Sequence, residues 1–150
     1  MPGTLIKIAQ SDLRMANFAI STGDECDLRM AACHIQQAVE KALKQILEDY
    51  GVSYTKTHKL YRLSALLPDS QAVLSRDLLA LLKPGLYVLT VWESESRYNT
   101  EFAASREEVL EMFSLAQAVL EAYALFEKQK QEIELNAACV KLSETDLFHD

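Results

Sequence analysis

From Leu28 to Tyr50 the sequence sets Leu28, Ala31, Ile35, Ala38, Ala42 and Ile46 at intervals of three or four residues. That spacing winds onto one face of an α-helix and fits no strand. Both ends are punctuated. Asp24 stands where an N-cap is needed, Glu25 and Asp27 put negative charge into the first turn, and Gly51 follows as a stop. The other side carries His34, Gln37, Lys41, Lys44 and Glu48, also at helical spacing, and is expected to face solvent or a partner.

The remaining sequence supplies more helices to cover this one. Leu5, Ile8, Leu13, Ala16 and Ile20 approximate a first apolar stripe that Ser21-Thr22-Gly23 ends. Residues 51–57 form a loop, and Leu60, Leu63, Leu66 and Leu67 make a short third helix that Pro68 terminates. Ser70 is the expected cap of a fourth, whose pattern (Val73, Leu74, Leu78, Leu81, Leu82) passes Lys83-Pro84-Gly85 and resumes through Leu86, Leu89 and Trp92 as a kinked helix. Ser105 and Glu108 have capping-box spacing for a fifth, with Val109, Met112, Phe113, Ala116, Val119, Tyr123 and Phe126 as its face. Past Gln131 the pattern weakens, leaving an amphipathic fragment around Leu135, Val140 and Leu142. The chain therefore reads as all-α: an antiparallel up-and-down bundle of four to five helices over residues 1–130, then an acidic C-terminal extension or tail over 131–150.

Charge is unevenly distributed. Residues 1–100 hold 11 basic and 11 acidic side chains, whereas residues 101–150 hold 4 and 11, so the whole net charge of -7 is C-terminal. Residues 28–62 carry six basic groups (Arg29, Lys41, Lys44, Lys56, Lys59, Arg62) against three acidic, which reads either as ordinary solvated helix faces or as a phosphate- or RNA-facing patch. No run approaches ~18 uncharged apolar residues, and the N-terminus lacks a basic region followed by an apolar one. Neither a membrane span nor a signal peptide is expected, and the protein is expected in the cytoplasm. Cys26, Cys33 and Cys139 are odd in number and lack CxxC spacing, which argues against a disulfide framework or a cysteine zinc site. With free cysteine behaving as a small hydrophobe, Cys33 is expected in the core.

Three histidines, His34, His58 and His149, form neither an HExxH run nor an i,i+4 pair, so no metal site and no cofactor are expected. No glycine-rich phosphate loop or nucleophile elbow is present, and no catalytic residue is assigned. His58 opens the third helix, either fixing the loop by hydrogen bonding or serving a ligand or proton. His34 in the second helix is similarly either a structural or a ligand contact. The segment Trp92-Glu93-Ser94-Glu95-Ser96-Arg97-Tyr98-Asn99 is the most suggestive: an Arg can grip a phosphate bidentately while an aromatic stacks on a base. The plainer alternative has Arg97 satisfying helix-end carbonyls or pairing with Glu93 or Glu101, and Tyr98 in the core.

Several of these residues together resemble a known family. Ala32-Cys33-His34-Ile35-Gln36-Gln37-Ala38-Val39-Glu40-Lys41-Ala42-Leu43-Lys44 is similar to the helix of HEPN domains (higher eukaryotes and prokaryotes nucleotide-binding), in which a QQAxEKxLK run recurs. A Gly-containing loop follows, then Thr57-His58-Lys59-Leu60 resembling the THxL start of the family's third helix, and Arg97-Tyr98-Asn99 resembling its RYP at the end of the fourth. The similarity covers residues 5–130. It implies a helical bundle, commonly a homodimer, encoded in prokaryotes beside minimal nucleotidyltransferases or in toxin–antitoxin and defence systems.

Many members are implied to be metal-independent ribonucleases with an Arg-x4-6-His motif in a cleft shared by two subunits. Here Arg97 matches the Arg, but Phe102, Ala103 and Ala104 occupy the positions where His falls. The general acid–base step thereby loses its natural agent near neutral pH. Tyr98 is a poor substitute, since tyrosine ordinarily titrates near ~10. The expectation is a non-catalytic module that binds a nucleotide, RNA or a nucleotidyltransferase partner, with Arg97 as the favoured phosphate contact, Tyr98 beside it, and Lys41 and Lys44 as secondary contacts. The alternatives are a ribonuclease whose catalytic groups depart from the motif, and a structural dimer whose acidic tail contacts a basic partner.

Overall fold

The computed structural model describes residues 3–147 of the chain, the side chains of Arg97 and of 145–147 excepted; His149 lies outside the described residues. Five helices follow one another: α1 (Thr4–Thr22), α2 (Glu25–Asp49), α3 (Leu60–Ala65), α4 (Arg76–Tyr98) and α5 (Arg106–Leu147). The architecture is the antiparallel helical bundle that the periodicities imply. α2 is its axis and packs against each of the other four.

Only Gly23 and Asp24 separate α1 from α2. Gly23 takes φ +72°, a left-handed turn that favours glycine, and its amide closes on the Ile20 carbonyl at 3.2 Å. Asp24 then caps α2 as expected, its Oδ1 accepting from the amides of Cys26 (2.8 Å) and Asp27 (3.4 Å). The two helices pack against each other, and both carry small residues that are inaccessible to solvent, Ala9 and Ala16 on one and Ala31, Ala38 and Ala42 on the other. Ala16 and Ile20 are buried as expected, whereas the first half of the α1 face differs from expectation. The buried face is Ile6, Ala9, Asp12, Ala16 and Ile20, while Ile8 is exposed. A stripe drawn through apolar residues alone misses it because a carboxylate sits in its middle.

α2 buries more than one stripe. Besides the six predicted positions, Ala32, Val39, Leu43 and Leu47 are buried, which is what a central helix requires. It ends in a Schellman arrangement, with the Val52 amide on the Leu47 carbonyl (2.9 Å), the Gly51 amide on the Glu48 carbonyl (3.0 Å) and Gly51 at φ +68°. α3 is short and buries Leu60 and Leu63.

The cap of α4 is Ser75, whose Oγ accepts from the Leu78 amide at 3.1 Å, and not Ser70. Val73 and Leu74 are buried in the loop ahead of the helix, because Gln71 Oε1 accepts from both of their amides (3.0 and 2.9 Å) and replaces the bonds a helix would have given them. α4 continues as one helix through Pro84. Pro84 and Ala80, whose carbonyl loses its partner there, are both on the exposed side. Gly85 faces inward, where a Cβ would stand 2.5 Å from Leu115 Cδ2, so glycine permits the approach of α4 to α5.

Ser105 caps α5 as predicted, accepting from the Glu108 amide (3.1 Å) and donating to Glu108 Oε1 (3.2 Å). Val109, Met112, Ala116, Val119, Leu120 and Tyr123 enter the core. An 18-residue window of this helix, which interrupts its apolar residues with charged ones, reaches a mean hydropathy of 1.4, long and apolar enough to cross a membrane by length and composition alone; a third of that window is buried in the bundle. The helix does not stop where the pattern weakens. It runs on to Leu147 with every described side chain from 128 to 144 exposed.

Candidate functional site

Residues 33, 36, 37, 40 and 41 fall on one face of α2 by the i, i+3, i+4, i+7 rule. That face forms the floor of a cleft of about 340 Å³, lined by Cys33, Gln36, Gln37, Glu40 and Lys41 of α2, His58 from the loop ahead of α3, and Glu93 and Ser96 of α4. Cys33 is therefore half-buried at the cleft and outside the core.

Glu40 organises this face. Its side chain is nearly inaccessible, and burying a carboxylate is costly unless it is paired and hydrogen-bonded. It is both. Oε1 accepts from Gln36 Nε2 (3.1 Å) and lies 3.0 Å from His58 Nδ1, while Oε2 accepts from Lys44 Nζ at 3.3 Å. A carboxylate only accepts, so His58 Nδ1 carries the hydrogen and Nε2 is the remaining ring nitrogen. Lys44 also lies 5.8 Å from the Tyr54 ring centroid. The Tyr54 hydroxyl donates to Glu48 (2.9 Å), and burial, then that bond, pushes its pKa up to about 12.

A second buried carboxylate, Asp12 of α1, reaches across the helix pair. It accepts from Lys41 Nζ at 2.6 Å and lies 3.0 Å from His34 Nδ1. His34, Lys41 and Lys44 are thus tied down within the bundle instead of facing solvent on a free polar side. Both carboxylates escaped the sequence reading, although Glu40 and Lys44 stand at ion-pair spacing within the family-like run. Among the described residues no buried side-chain nitrogen or oxygen lacks a partner, and no three His, Cys, Asp or Glu side chains are grouped to hold a metal ion.

The α4 wall is fixed by Arg29, which sequence reasoning assigned no role. Its Nη1 donates to the Thr100 carbonyl (3.0 Å) and its Nη2 to those of Ser96 and Asn99 (both 3.1 Å). A cation thereby satisfies carbonyls at the negative end of the helix dipole. This is the function that the plainer alternative gave to Arg97. With Arg29, Lys41 and Lys44 engaged internally, the basic patch counted over residues 28–62 is smaller on the surface than in the sequence.

Of the expected contacts, Lys41 and His58 line the cleft together, and Lys44 lies one turn along α2 behind Glu40. His34 is held by Asp12 and is not among the lining residues. Arg97 follows the lining residue Ser96 on the last turn of α4, but its side chain lies outside the described residues. Tyr98 closes α4 and is 80% exposed, so it is not a core residue. Phe102 and Ala104, at the positions where a ribonuclease histidine falls, pack onto the hydrophobic core.

The HEPN domain model matches residues 3–130, covering all five helices up to the exposed part of α5. The chain belongs to the HEPN domain family. The HEPN chain is similar to the crystal structure of TT1696 from Thermus thermophilus, at a TM-score of 0.62 and 27% identity, over 80% of this chain and 93% of that one. It is also similar to the crystal structure of ST0689, an archaeal HEPN homologue, at a TM-score of 0.55 and 25% identity, over 80% and 92%. No curated protein matches it.

Proposed function

We propose that this HEPN chain is a binding module that takes a phosphate group, of a nucleotide or of RNA, into the cleft between α2, the loop ahead of α3 and the end of α4. The observation that carries the reading is convergence: Lys41, His58 and Ser96 line one cleft, with Arg97 next in sequence to Ser96. At about 340 Å³ the cleft is near the lower end of the ~300–1,000 Å³ typical of small-molecule sites, enough for one nucleotide unit. Arg97 is the favoured phosphate contact, with the exposed ring of Tyr98 beside it to stack on a base. Lys41 and Lys44 add positive potential and, being held by Asp12 and Glu40, are secondary.

The module works as a homodimer. The outward face of α4 presents Leu81, Tyr87, Val91 and Tyr98 to solvent, and Tyr87, Val91 and Tyr98 follow helical spacing along one stripe. Tyr87 is stacked on Tyr61 at 5.8 Å, which supports an ordered aromatic surface there. A minimal nucleotidyltransferase is the proposed protein partner, in a cytoplasmic prokaryotic toxin–antitoxin or defence-type system. This part of the reading is supported by family membership.

A second reading, RNA cleavage with an atypical centre, is favoured by one observation: Glu40 holds His58 by Nδ1 at the cleft wall, the arrangement that orients a histidine base. The test is to incubate protein with mixed RNA and, separately, with nucleotides, without added metal, comparing wild type with Arg97→Ala. The expected result is no cleavage and a loss of binding of roughly tenfold or more in the variant, the size of one charge-assisted contact. Cleavage that disappears with Arg97 makes the protein an atypical ribonuclease, and binding indifferent to Arg97 refutes the phosphate contact.

A further inference from the structure

The formal charges of the described groups at the cleft do not favour an anion, and this decides how one can enter it. Three carboxylates, Asp12 behind Lys41, Glu40 on the floor and Glu93 on the α4 wall, stand against two cations, Lys41 and Lys44. Lys41 and Lys44 are each committed to a buried carboxylate at 2.6 and 3.3 Å. Cys33 is the other titratable lining group, and Lys59 follows His58 in the loop. A phosphate arriving with at least one negative charge would leave the site net negative.

His58 can restore the balance. It is 48% exposed at the cleft wall, and Glu40 Oε1, 3.0 Å from Nδ1, is in place to stabilise an imidazolium. Histidine is the side chain whose charge changes near neutral pH. Protonation would turn Nε2 from an acceptor into a charged donor, the group a phosphate oxygen binds best. We propose that a phosphate group enters this cleft together with one proton, taken up on His58 against Glu40, so that affinity rises as pH falls through the histidine range. The inference rests on the phosphate-binding reading of the same cleft and names its regulation.

The experiment is calorimetric titration of the full chain with two probes, ATP and a short single-stranded RNA, each in buffers of different ionisation heat across about pH 5–8, where histidine changes charge. The expected result is uptake of up to one proton per bound probe, and an affinity that weakens by up to about tenfold per pH unit as pH rises through that range. His58→Asn should remove both the uptake and the pH dependence, and Glu40→Gln should shift the pH dependence to lower pH. Whichever probe binds, RNA or mononucleotide, identifies the source of the phosphate. Binding without proton uptake, or uptake that survives in His58→Asn, overturns the inference while leaving phosphate binding intact. Failure of both probes to bind overturns the phosphate reading itself.

Discussion

Replacing Glu40 by Leu tests whether the buried carboxylate organises the α2 face. The substitution removes one ion pair and two further hydrogen-bond partners at once, and leaves Lys44 with 15% of its side chain accessible and no counter-charge. At 3.3 Å the gross attraction is about 5 kcal/mol at an effective dielectric constant of ~20. Desolvation of the pair offsets part of this, and breaking a buried pair from one side typically costs ~3–5 kcal/mol. Lys44 retains some access to water and His58 is half exposed, so the lower end, about 3 kcal/mol, is expected. For a chain of this size that lowers Tm by roughly 6–12 °C. Adding Lys44→Met should recover at least about half of the loss, because the cost lies in the orphaned cation. Thermal and urea denaturation of the two single variants and the double variant measure this. A loss below about 1 kcal/mol for Glu40→Leu, or strictly additive single and double variants, would refute the reasoning.

Three other outcomes follow from the same structure. Arg29→Ala removes three hydrogen bonds to the carbonyls of Ser96, Asn99 and Thr100 and should cost about 2 kcal/mol, with amide exchange accelerating first in residues 96–102. Deleting residues 131–150 should leave Tm within about 2 °C, since the described side chains of that stretch are all exposed; a larger loss would mean the extension supports the bundle. Tyr54 has its pKa raised to about 12 from 10.0, so the stability it contributes is complete below the unfolded value and lost as pH rises from about 10 through about 12. Ultraviolet titration of tyrosinate alongside alkaline unfolding should show that loss in wild type, and Tyr54→Phe should reduce it, leaving the part that Tyr123 contributes through burial and its bond to Asp49.

The helices that were legible in the sequence are those whose pattern needs no partner to interpret. Asp24, Gly51 and the Leu28 to Ile46 spacing specify α2 locally, and Ser105 with Glu108 specify the start of α5. Errors arose where tertiary pairing overrides the local signal. Asp12 reads as a surface residue until Lys41 and His34 come within reach from α2, and without it the first half of the α1 stripe is drawn through Leu5, Ile8 and Leu13, each one position from the buried Ile6, Ala9 and Asp12. Ser70 reads as the cap of α4 until Ser75 is seen to accept from the Leu78 amide and Gln71 to hold the amides of Val73 and Leu74. The site was half visible. The QQAVEK and THKL runs contain Gln36, Glu40, Lys41 and His58, yet their spacing alone could not show that Glu40 and His58 meet, 18 residues apart. Arg29 bonds carbonyls up to 71 positions away, a separation at which one sequence carries no signal.

The most direct test of the cleft is nuclear magnetic resonance of the full chain, following the His58 ring and the amides of Gln37, Lys41 and Ser96 while ATP or single-stranded RNA is added. The shifts are expected to cluster on these residues and on the turn around Arg97, and Arg97→Ala is expected to suppress them. Shifts confined instead to the groove between α1 and α5, at Gln10, Arg14, Phe113 and Gln117, would contradict phosphate binding in the cleft.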